Sequence, residues 1–161
     1  MLYAIVDIET TGGYAAANGI TEIAVCITDG KSISQQFQTL LNPVYTIPKY
    51  VAALTGITNE MVEFERPFSS IADELFELLD DKIFVAHNVN FDYSFIKHHL
   101  AQCGYDLNCK KLCTVRIWRQ IIPGLPGYGL GKICKSLGIE IADRHRASGD
   151  AQATVTLFNQ L

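Results

Sequence analysis

Apolar and polar positions alternate through residues 2–9 (Leu-Tyr-Ala-Ile-Val-Asp-Ile-Glu), the period-two pattern of a strand with one buried face. Two more strands are predicted over residues 20–28 and 33–41, joined at Asp29-Gly30, a pair suited to a hairpin turn. From there the period lengthens. Pro48 opens a short helix through Leu54 that Gly56 stops. Pro67 precedes a helix with Ile71, Leu75, Leu78 and Leu79 on one face, and Lys82–Ala86 reads as a short buried strand. Asn90 is the expected cap of a helix running to about Cys103, ended by Gly104. Helices are also predicted over 114–122 and 130–137, separated by a Pro- and Gly-rich loop. Ser148 is the expected cap of a last helix from Asp150 to Leu161. Three strands in a meander, followed by strands alternating with helices, predict an α/β fold with a mixed sheet flanked by helices.

The length of 161 residues suits one domain, and a 48% hydrophobic composition supplies its core. No apolar run approaches the roughly 20 residues that span a bilayer. The opening residues read as a strand and not as a secretory leader, so no membrane association and a cytoplasmic setting are expected. The last helix stays apolar to its end (Val155, Leu157, Phe158, Leu161), as expected if residues 1–161 are one domain of a longer protein. Five cysteines without a Cys-x-x-Cys pair point to free thiols in a reducing compartment more than to zinc.

Net charge is −4, which by itself argues against a nucleic-acid binder, but the charge is unevenly spread. Residues 1–109 carry five Lys/Arg against fourteen Asp/Glu, while residues 110–146 carry eight against two. An acidic metal site beside a basic face for phosphates would produce this division, as would an unevenly solvated surface.

Asp7 and Glu9 stand two apart in the first strand, so both face one side of the sheet while Val6 and Ile8 face the other. Acids inside an apolar strand are costly unless something pairs with them. Asp92 and Asp150 each fall in the first turn of a predicted helix, where the helix dipole favours the ionised carboxylate that a metal ligand must be. Taken singly, each also fits a solvated strand end or an ordinary helix start. Convergence of all four would demand counter-charge, and hard oxygen ligands select Mg²⁺ or Mn²⁺. His145, five residues before Asp150, is a candidate base, although a loop histidine bound to backbone is the plainer reading of that residue alone.

These residues resemble the DEDDh family of 3′→5′ exonucleases, most closely the branch containing the proofreading epsilon subunit of bacterial DNA polymerase III. Three motifs carry the resemblance: Val6-Asp7-Ile8-Glu9-Thr10-Thr11-Gly12 with Ile20-Thr21-Glu22-Ile23, His87-Asn88-Val89-Asn90-Phe91-Asp92, and His145-Arg146-Ala147-Ser148-Gly149-Asp150. Leu54-Thr55-Gly56-Ile57 also looks like the family. The resemblance implies a ribonuclease-H-like mixed five-stranded sheet. It implies two Mg²⁺ or Mn²⁺ ions on Asp7, Glu9, Asp92 and Asp150, with His145 as general base. It implies contacts to the terminal nucleotide from Thr10, Thr11, Gly12, Leu54, Thr55, Asn88 and Phe91. The expected substrate is the 3′ end of single-stranded or frayed DNA, in proofreading or repair, with a polymerase or a fused nuclease domain as partner. The alternatives are an exoribonuclease trimming RNA 3′ ends and a non-catalytic nucleic-acid-binding module. Cys113-Thr114 and Tyr128-Gly129-Leu130 depart from the family pattern, which bears on substrate preference and not on the ligands.

Overall fold

The computed structural model describes residues 1–161. In chain order it contains β1 (Tyr3–Thr10), β2 (Ile20–Thr28), β3 (Ile33–Leu40), α1 (Lys49–Thr55), α2 (Asn59–Val62), α3 (Ala72–Leu79), β4 (Ile83–Ala86), α4 (Val89–Gln102), β5 (Lys111–Cys113), α5 (Thr114–Ile121), α6 (Leu130–Ser136) and α7 (Ala147–Phe158). The five strands form one sheet in the order β3-β2-β1-β4-β5. β1–β2 and β2–β3 pair antiparallel, and β4 is parallel to both β1 and β5. The mixed, helix-flanked sheet is the predicted one. No helix is long and apolar enough to cross a membrane.

Alternation along β1 divides the core in two. Ala4, Val6 and Ile8 enter the larger cluster with α3 and α4, completed by Ile23, Val25, Phe84 and Leu75. Ile5 faces the other way, into a smaller cluster with Ala24, Val85 and the α7 residues Ala147, Ala151 and Val155. Two alanines one helical turn apart let α7 approach the sheet closely. Tyr3 meets Phe158 at 4.8 Å between ring centroids, so α7 runs antiparallel to β1 and its first turn lies over the carboxyl end of that strand. α5 and α6 pack outside α7 through Trp118, Ile133, Cys134 and Leu157.

Several local expectations are corrected. α4 begins at Val89, with Asn88 in the left-handed region (φ 74°) at its N-cap, and Asn90 lies inside the helix. α7 begins at Ala147, so Ser148 is helical and not a cap. β5 and α2 were not predicted at all. The five cysteines are free.

Candidate active site

β1 carries Tyr3, Ile5, Asp7 and Glu9 on its α7 face, so that face turns from apolar to acidic toward the carboxyl end of the strand. Asp150, in the first turn of α7, descends onto it. One carboxylate oxygen each from Asp7, Glu9 and Asp150 lie within 4.8 Å of one another. Asp92 comes from the first turn of α4, just after β4, and is buried. Its Oδ1 accepts the Ile8 N–H at 3.2 Å, which pins it to the segment between Asp7 and Glu9. Charged groups at the carboxyl ends of parallel strands, beside a helix N-terminus, occupy the usual ligand position of open α/β sheets.

The electrostatics report the crowding. Burial, then the charges of Asp92, Asp150, Glu9 and Glu22, hold the Asp7 carboxyl well above its ordinary range. Burial, then Asp150, Glu22 and Asp92, push Glu9 up to about 8. Burial pushes Asp92 to about 8 and also raises Asp150. Without counter-charge these acids resist ionisation together. Asp150 Oδ2 accepts the His145 N–H at 3.2 Å, whereas its buried Oδ1 has no hydrogen-bond partner. An orphaned carboxylate oxygen among three other acids has the donor chemistry that suits a hard divalent cation.

His145 stands in the turn before α7 with φ 65°, a left-handed conformation that costs a non-glycine residue energy. Only its backbone is tied down, since its imidazole makes no hydrogen bond within the protein. The turn is packed hard against α7. A Cβ on Gly149 would collide with the carbonyl oxygens of Ala142 and Asp143, so only glycine lets the first turn of α7 sit this close.

The residues expected to hold a nucleotide differ in how far they are free to do so. Leu54 is 57% exposed at the end of α1. Asn88 is exposed at the start of α4, and Phe91 is half-buried against Phe95. Thr55 is buried, its hydroxyl donating to Val51 O and accepting from Ile57 N. Thr10 donates to Gly12 O, and Thr11 bonds Asn18 Oδ1 and Gly19 N, so these hydroxyls close the loop after β1. A side chain at Gly12 would strike Asn18.

Two groups with no role assigned from sequence also shape the site. His87, at the end of β4, bonds Thr114 Oγ1 at 2.9 Å and Tyr128 O at 2.7 Å, tethering the 123–129 loop. Glu22 on β2 stands opposite Glu9 and is bound by Arg146. The long 11–19 loop between β1 and β2 hides that register from the sequence.

Residues 4–158 match the family model of RNase_T exonucleases. The chain belongs to this exonuclease family. It is similar to the 3′-5′ exonuclease DinG of Bacillus subtilis (strain 168), 38% identical over 161 residues, 99% of this chain and 17% of that protein. The DinG of Staphylococcus haemolyticus (strain JCSC1435) is 35% identical over 157 residues, again 17% of its length. The exonuclease domain thus spans about one sixth of these relatives. Among solved structures, E. coli Exonuclease I in complex with a dT13 oligonucleotide superposes with a TM-score of 0.88 at 19% identity, covering 99% of this chain and 40% of that one, a likeness of fold. Exonuclease X in complex with 5′ overhanging duplex DNA gives a TM-score of 0.79 at 26% identity, covering 98% of this chain and 89% of that one.

Proposed function

We propose that this domain is a divalent-metal-dependent 3′→5′ exonuclease that releases nucleoside 5′-monophosphates from the 3′ end of single-stranded or frayed DNA. The observation that carries the reading is the meeting of Asp7, Glu9 and Asp150 within 4.8 Å, with Asp92 anchored beside them and Asp150 Oδ1 unpartnered. The donor set is all carboxylate, which suits Mg²⁺ or Mn²⁺, and two such ions balance four negative charges. When bound, the ions supply Lewis-acid activation of the attacking water and stabilise charge on the departing 3′-oxygen.

The remaining work falls to the chain. His145, whose backbone N–H is bonded to Asp150 and whose imidazole is free of internal bonds, is the group to take the proton of the attacking water. Exposed Leu54 offers an apolar face to the terminal base, and Phe91 and Asn88 at the start of α4 offer further contacts. The Thr10–Gly12 segment presents backbone, because its hydroxyls are held internally. Beyond the centre lies a basic rim. Arg119 sits 5.3 Å from the Tyr128 ring centroid, Lys132 lies beside Gly127, and the Arg144 guanidinium stands over Gly131. All three cations are exposed and none has a carboxylate partner, leaving them for the phosphates of the strand leading into the site. The DNA-bound state of Exonuclease X favours DNA over RNA.

The test is a side-by-side digestion of matched DNA and RNA oligonucleotides, each with a free or blocked 3′ end, in Mg²⁺, Mn²⁺ or EDTA. Expected is stepwise release of nucleoside monophosphates from free DNA 3′ ends, stopped by EDTA and by Asp7→Ala. Digestion from the 5′ end, preference for RNA, activity in EDTA, or binding without cleavage would each overturn the reading.

A further inference from the structure

A fifth carboxylate beside this centre behaves unlike the other four. Glu22 is paired directly with Glu9 across β1–β2, so both side chains share the α7 face, and the Glu22 side chain is 1% exposed. A carboxylate there would be expected to join the acidic cluster, yet its oxygens are occupied elsewhere. Arg146 Nε and Nη2 donate to Oε2 and Oε1 at 3.0 and 2.8 Å, a bidentate pairing. The Ala147 N–H donates to Oε2 at 2.9 Å, and Gln38 Nε2 to Oε1 at 3.2 Å. Four donors on two oxygens leave no lone pair directed at the cluster. Burial raises the Glu22 pKa, but the Arg146, Ala147 and Gln38 hydrogen bonds more than offset it and the net shift is downward, opposite to Glu9.

The bonds land at one place. Arg146 is the N-cap residue of α7, Ala147 is its first helical residue, and no local side chain caps this helix. Glu22 therefore satisfies from a neighbouring strand a donor that α7 leaves free at its N-terminus. The anchored pair lies one residue from His145 and one helical turn before Asp150. Neither of those residues is otherwise secured to the sheet by a side-chain hydrogen bond from β1 or β2.

We propose that Glu22 and Arg146 are a positioning pair for the nuclease reaction, fixing the start of α7 on β2 so that Asp150 and His145 meet the acids of β1 in register. The pair touches neither substrate nor metal. It acts because a displacement of about 1 Å at reacting groups costs on the order of a hundredfold in rate. It rests on the nuclease reading, and its arms separate from that reading as follows.

Glu22→Gln, Arg146→Lys, Arg146→Met and the double variant Glu22→Gln/Arg146→Met are compared with the unaltered chain. Three quantities are read: metal-free Tm, Mn²⁺ affinity by titration calorimetry without nucleic acid, and kcat and KM on a single-stranded DNA oligonucleotide, all well below each Tm. Arg146→Met is expected to lower kcat at least about tenfold with KM within about twofold, and to weaken Mn²⁺ binding. Arg146→Lys keeps the charge without the fork and recovers part of each. The double variant, which buries no unpaired carboxylate, regains Tm relative to Arg146→Met but not kcat or Mn²⁺ affinity. Recovery of all three together, or kcat and Mn²⁺ affinity within about twofold of wild type in the folded variants, would reduce the pair to a structural contact and overturn the proposal. Should Arg146→Met not fold, Glu22→Gln and Arg146→Lys decide by the same criteria. An unaltered chain that fails to cleave would overturn the nuclease reading instead, and the Mn²⁺ titrations would still decide the positioning role.

Discussion

Replacing Glu9 by glutamine should make the metal-free domain more stable, in a manner set by pH. Burial and its acidic neighbours raise Glu9 from an ordinary 4.5 to about 8. An unfolded glutamate gives up its proton near the lower value and the folded one near the higher. Folding without metal is therefore unopposed by this group below pH about 4.5, increasingly opposed as pH rises, and fully opposed above about 8. A tenfold change in the proton equilibrium is worth about 1.4 kcal/mol, so the full effect would be about 5 kcal/mol. Glu9 is only half-buried, and solvent screening reduces the figure to ~2–3 kcal/mol. For a domain of this size that is a rise in Tm of roughly 4–12 °C. Thermal melts of wild type and Glu9→Gln in EDTA, at acid pH and at pH about 8, measure it. The two proteins should melt together in acid and diverge at alkaline pH. Added Mn²⁺ should raise the wild-type Tm more than that of the variant. A variant less stable than wild type at the higher pH, or one displaced equally at both, would show that Glu9 is already neutralised within the protein and needs no cation.

His145→Ala should lower kcat by about 10²–10⁴-fold while calorimetric Mn²⁺ affinity is retained, since only a proton acceptor is removed. Arg119→Ala and Lys132→Ala should each raise KM for single-stranded DNA and reduce the slope of log affinity against log salt by about 0.7, as read in a fluorescence-anisotropy titration. Gly149→Ala should cost about 1–3 kcal/mol in urea unfolding, because its Cβ would press on the Ala142 and Asp143 carbonyls, and the residual folded enzyme should turn over more slowly as Asp150 is lifted from β1.

Which of these features the sequence discloses depends on how local their causes are. β1 is legible because its apolar and polar positions alternate, and β2 because it is a β-rich run buried at every position. β5 is not, because Lys111-Leu112-Cys113 has no strand pattern of its own and is extended only by pairing with Phe84–Ala86. The start of α7, at Ala147, is hidden from the sequence for a related reason. Ser148 looks like a cap, but the cap is Glu22, 125 residues away from Ala147. Asp92 and Asp150 are visible as residues near helix starts, while their aim at β1 depends on packing through Ala151 and Phe95 that no short window contains. Motif spacing located the acids, and tertiary structure alone shows that Asp150 retains an unpartnered oxygen.

The clustered acids are drawn from nearly opposite extremes of the chain, Asp7 and Glu9 in its first strand and Asp150 in its last helix. A polypeptide emerging from the ribosome therefore holds no complete centre until almost all of the domain has been made and the final helix has docked. A cut before Ala147 that released the final helix would therefore carry Asp150 away from the acids of β1.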